Sequence, residues 1–156
     1  MTRYASRSTL RWCAIALGLA LVAAAWHKTT ALDPGLRRLA AQFEAANRAD
    51  SIEPMLALYE LTGSDKATIS RLKSALLFEL GQPIAGIEFE PLSGASEERI
   101  DFTYNGIRYG PSLTPRLRMR VRYDCADQLS SLFTIGTRPS GEWQIVSSKP
   151  VANASD

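Results

Sequence analysis

Apolar residues recur at two spacings along the chain, and the change of period divides it. After Asp33-Pro34-Gly35, Leu36, Leu39, Ala40, Phe43 and Ala46 fall on one helical face, with Arg37, Arg38, Glu44 and Arg48 elsewhere on the wheel. Asp50 and Ser51 offer a second start and Pro54 suits a first turn. Met55, Leu58, Tyr59 and Leu61 then predict a short helix stopped by Thr62-Gly63. A third helix is predicted from Ser64 or Asp65, with Ile69, Leu72, Leu76 and Leu80 on one face and Gly81 and Pro83 at its end. Beyond Pro83 the period becomes two. Ile87 and Phe89 alternate with Glu88 and Glu90, and Ile100, Phe102 and Tyr104 with Asp101 and Thr103. Asn105-Gly106 is a strong two-residue hairpin signal, with Ile107 to Tyr109 returning. Strands follow at Arg116 to Tyr123, Leu129 to Gly136 and Trp143 to Ser147, the last two joined by a turn at Arg138-Pro139-Ser140-Gly141. Helices first and strands afterwards predict an α+β domain over residues 33–151, with three helices packed on an antiparallel sheet.

The order of elements resembles the nuclear-transport-factor-two-like superfamily, with its SnoaL-like and ketosteroid-isomerase branches. The likeness is carried by Met55-Leu56-Ala57-Leu58-Tyr59 and by Gly141-Glu142-Trp143-Gln144-Ile145-Val146-Ser147, within Leu36 to Val151. The resemblance implies a curved, cone-shaped sheet whose mouth holds a small apolar ligand. Tyr59, Phe89, Phe102, Tyr104, Tyr123 and Trp143 are the expected lining. The superfamily spans enzymes, binding modules and scaffolds, so it does not supply the function.

Ahead of this domain, residues 1–32 read as a leader. Arg3, Arg7 and Arg11 precede an unbroken small and apolar run of 13 residues from Cys13 to Ala25, ending in Ala23-x-Ala25. The uncharged stretch from Trp12 to His27 has 16 residues, roughly 24 Å as a helix against about 30 Å of hydrocarbon. A cleaved signal and an uncleaved anchor both remain open, and both place the domain outside the cytoplasm, periplasmic or anchored in the inner membrane facing the periplasm. Arg11-Trp12 before Cys13 argues against lipidation. Residues 152–156 read as a disordered tail.

Charge and chemistry narrow the function. Four of the 18 basic side chains lie in the first 28 residues, leaving 14 against all 16 acids, so the balance makes no case for nucleic acid. The single histidine, His27, belongs to the leader, which excludes a His-ligated metal or a His-dependent triad from the domain. No metal or other cofactor is expected. Cys125 is the only cysteine after the leader, so no intrachain disulfide is available there. Enzymatic relatives of the resemblance need a desolvated carboxylate opposite a tyrosine or acid donor. Tyr59, Tyr104, Tyr109, Tyr123, Asp65 and Asp101 are of the right types, but they form no recognisable motif, and no catalytic residue is assigned. Asp65 reads as a helix cap and Asp101 as solvent-facing.

Arg116-Leu117-Arg118-Met119-Arg120-Val121-Arg122-Tyr123 sets four arginines on one strand face. Their charges call for an answer. Cross-strand carboxylates among Glu88, Glu90, Glu97, Glu98 and Asp101 are one; an anionic partner, or acids of a second copy in a homodimer, is the other. The expected function is an exported non-catalytic module of the bacterial envelope, a small-ligand pocket or a scaffold for an envelope protein. The alternative is a small isomerase- or hydrolase-like enzyme using a buried carboxylate and a tyrosine.

Overall fold

The computed structural model describes residues 33–151 apart from Gln128, with Glu97 described in its backbone only. The expected leader and tail, residues 1–32 and 152–156, lie outside the described residues. Two sheets carry the domain. α1 (Pro34–Asn47) and the single turn α2 (Glu53–Leu56) lead into β1 (Tyr59–Glu60), and α3 (Lys66–Leu76) follows. The remaining strands are β2 (Ile84–Pro91), β3 (Phe102–Tyr104), β4 (Ile107–Pro111), β5 (Leu117–Tyr123), β6 (Ser130–Thr137), β7 (Trp143–Val146) and β8 (Ser148–Pro150). They form a five-stranded sheet in the order β1-β7-β6-β5-β2 and a three-stranded sheet in the order β3-β4-β8.

This architecture corrects the expected one. A cone of three consecutive helices on one curved antiparallel sheet is not what forms. A strand interrupts the helices, the larger sheet is mixed because β1 runs parallel to β7, and a second sheet stands apart. Among the described residues, strand residues outnumber helical ones. The physical reason lies at Leu58 to Glu60. Helix α2 stops after one turn, freeing the Leu58 carbonyl to accept the amide of Ile145 at 2.9 Å. Tyr59 thus leaves the helix to which its spacing had assigned it and pairs with Ile145 in the sheet.

The core sits between α1 and the inner face of the larger sheet. Leu36, Leu39, Phe43 and Ala46 are buried along α1, and Phe43 meets Phe133 of β6 with ring centroids 5.2 Å apart. Beneath them Met119, Val121, Ile135 and Ile145 are buried. Their alternation with polar neighbours fixes the register, since a one-residue slip would turn the apolar set to water.

Ser147 is the joint between the sheets, since β7 ends before it and β8 starts after it. Its backbone exchanges bonds with Ser112: the Ser112 amide donates to the Ser147 carbonyl at 2.8 Å, and Ser112 Oγ accepts from the Ser147 amide at 2.9 Å. Its hydroxyl donates to the Glu60 carbonyl and lies 2.9 Å from Ser64 Oγ. A backbone changing sheets loses its ladder partners, and small hydroxyl side chains supply replacements. This joint places α3 opposite the β3–β4 hairpin.

Candidate functional site

A cleft of about 340 Å³ opens between α3 and that hairpin. Thr68, Arg71, Leu72 and Ala75 of α3 form one wall and Phe102 of β3 the other, with Tyr59, Val146, Ser147 and Ser148 around them. Asp65 starts α3 by accepting the Thr68 amide at 2.6 Å, which satisfies one of the donors a helix start leaves open. The same carboxylate accepts the Tyr109 hydroxyl at 2.6 Å, tying the helix to β4 across the sheets. Tyr109 in turn stacks on Phe102, with centroids 5.1 Å apart and planes 8° from parallel. Arg71 lies over the Tyr104 ring, 4.6 Å from its centroid. The hairpin itself is set by Asn105 and Gly106, both at positive φ, as its two-residue turn requires.

The cleft is therefore apolar, with one cation at its wall. Among the described residues Arg71 has no carboxylate within ion-pair distance, and its Nε donates to the Ala67 carbonyl at 3.3 Å. The lining contains no carboxylate. The Tyr109 hydroxyl, and secondly the Thr68 amide, hold Asp65 below the usual carboxylate range. Accepted by that carboxylate, Tyr109 is in turn pushed up. Burial pushes Tyr59 well above 10, reinforced by the charge of Glu79. Both oxygens of Asp65 are thus engaged as acceptors, and its lowered pKa makes it a weak base for proton abstraction.

Expected pocket residues divide among four places. Tyr59 and Phe102 line this cleft and Tyr104 borders it through Arg71. Tyr123 lies elsewhere, its hydroxyl donating to Glu79 Oε2 at 2.9 Å while Ser131 donates to Oε1 at 2.8 Å. Phe89 pairs with Met119 in the sheet, and Trp143 lies in a separate hollow with Gly141 and Arg38. The partners Arg71, Thr68 and Leu72 escaped sequence reasoning. On α3 they looked like an ordinary amphipathic face, because the hairpin opposite lies about 30 residues further along the chain.

The arginine strand is largely answered from within. Arg120 Nε donates to Glu90 at 2.7 Å and Arg122 Nη2 to Glu88 at 2.7 Å, both across the β2–β5 pair. Arg118 lies 3.9 Å from Glu98, Arg116 is exposed just before β5, and Asp101 is exposed and bonded to Arg108 by two hydrogen bonds. Cys125 is free and half-buried past the end of β5. Among the described residues there is no group of side chains that could hold a metal ion and no helix long and apolar enough to cross a membrane. No family model, curated protein or solved structure matches this chain, and the resemblance stated from the sequence rests on residue patterns alone.

Proposed function

We propose that this chain is an exported binding module of the bacterial envelope whose α3–hairpin cleft takes a small apolar molecule with an acidic end. The basic and apolar leader is the sequence feature that supports export, to the periplasm or to an anchored position facing it. One observation carries the binding reading: an apolar cleft of about 340 Å³ with a single cation, Arg71, and no carboxylate in its lining. That volume lies at the small end of the range for ligand pockets, which are mostly apolar with a few oriented polar groups. A guanidinium suits a carboxylate head, and Leu72, Ala75, Val146 and Phe102 suit an apolar body.

An isomerase- or hydrolase-like reading would need a carboxylate facing this cavity. Asp65 and Glu79, the carboxylates beside tyrosines, are both engaged as acceptors outside the lining. Decanoate titrated calorimetrically into the full chain tests the binding reading. Saturable binding is expected, weakened about tenfold or more with decanol in place of decanoate or with R71Q, the usual worth of a charged hydrogen bond. Equal binding of decanoate to the parent and R71Q, or none to the parent, would contradict it.

A further inference from the structure

Arg118 is only 8% exposed, and its guanidinium is incompletely met. Its Nε–H is buried without an acceptor, and its ionic partner Glu98 stands 3.9 Å away. Glu98 is occupied: Oε1 accepts from the Ser93 amide and hydroxyl, and Oε2 from the Gly94 amide at 2.7 Å. A buried Nε–H without an acceptor is costly, and native structures seldom leave one so. This one lines a second cleft, of about 220 Å³, beneath the chain that connects β2 to β3. Glu90, Arg120, Pro91 and Leu132 share that lining. Glu90 gives Oε1 to Arg120, while its Oε2 accepts no hydrogen bond among the described residues. Among the described side chains the lining thus offers the Arg118 guanidinium, with its Nε–H unmet, and a partly exposed carboxylate oxygen at Glu90, two guanidinium groups standing beside two carboxylates. A bare anion would meet both carboxylates at close range. A ligand carrying both signs would meet complementary groups on each side.

We propose that this second cleft binds a small zwitterion of amino-acid type, its carboxylate on Arg118 and its ammonium on Glu90, with a short apolar side chain against Pro91 and Leu132. The site is separate from the α3 cleft and does not depend on it. L-leucine is the probe, with 4-methylpentanoate, which lacks the ammonium, and isoamylamine, which lacks the carboxylate, as its halves. Nitrogen-15 spectra of the full chain are read at the Arg118 Nε–H and the Ser93 and Gly94 amides. Leucine is expected to shift all three saturably, and each half to bind at least tenfold more weakly. R118M is expected to abolish the response to leucine. E90Q, at a half-exposed position, is expected to weaken leucine about tenfold while leaving 4-methylpentanoate within about twofold, and it decides the matter if R118M does not fold. Absence of a saturable shift with leucine would overturn the proposal. So would 4-methylpentanoate binding as tightly as leucine, which would mark a simple anion site.

Discussion

Glu60 shows how one residue can hold several elements. It is buried at the edge of the larger sheet, where Oε1 accepts the Thr62 amide at 2.9 Å and Oε2 accepts Arg138 Nε at 2.7 Å. Those donors, Thr62 first, keep its pKa below the ordinary carboxylate value. Removing the cation by R138M leaves a buried carboxylate short of one partner. The partly exposed Arg138 moderates the effect, so a loss of about 1–2 kcal/mol is expected, read from the urea midpoint. Asp65 makes a second case, its pKa held down by Tyr109 and Thr68. A carboxylate with a depressed folded pKa stabilises the fold above about pH 4 and loses that contribution as the pH falls toward the folded value. D65N keeps a capping side chain but removes the titrating charge. Its stability is therefore expected to fall less steeply than the parent's between about pH 5 and pH 2, measured by urea unfolding across that range. The capping role of Asp65 was legible from its place before an apolar-periodic run. Its second bond, to Tyr109, was not, because 44 residues separate them.

Among elements, those written in local pattern were the ones the sequence disclosed. Alternation from Arg116 to Tyr123 marks β5, and Asn105-Gly106 marks the β3–β4 turn. β1 has two residues, too few for any period, and it exists because β7 offers the Leu58 carbonyl a partner. β8 likewise had no signal, lying past the strand predicted to end at Ser147, because the change of sheet there depends on the distant Ser112 and Ser64. Gly136 on β6 illustrates a contact with no local signature. A Cβ there would stand 2.5 Å from the Thr114 carbonyl oxygen, since the loop before β5 crosses the strand at that point. Backbone cannot step aside as a flexible side chain would. G136A is expected to cost about 1–3 kcal/mol in chemical denaturation, against a smaller cost for G86A, where a Cβ would meet only the end of the flexible Arg122 side chain at 3.3 Å. The Arg122–Glu88 pair is close but both side chains are more than half exposed. A double-mutant cycle on it is expected to give about 1 kcal/mol or less, falling with salt.

Over the whole molecule, the two clefts lie on different elements and differ in chemistry. The arginine strand looked from its sequence like an open basic face. Folding sets Glu88 and Glu90 against it on β2, so its charge is largely met within the chain, and what remains is the exposed Arg116 and the buried Arg118, whose Nε lacks an acceptor. The α3 cleft has the opposite character, a largely apolar lining with one cation, Arg71, whose charge is felt by Asp65 but which has no ion pair at contact distance among the described residues. Aromatic residues expected to line a single cavity divide: Tyr59 of the larger sheet meets Phe102 of the smaller one at the α3 cleft, while Tyr123 and Trp143, also of the larger sheet, lie away from it.

The central claim is that the α3 cleft holds an apolar acid, and intermolecular nuclear Overhauser effects between the full chain and decanoate test it most directly. The account predicts contacts from the decanoate chain to the methyls of Leu72, Ala75 and Val146 and to the Phe102 ring, lost in R71Q at the same ligand concentration. Saturable binding with contacts only to residues outside this cleft, or no contacts at all, would contradict it.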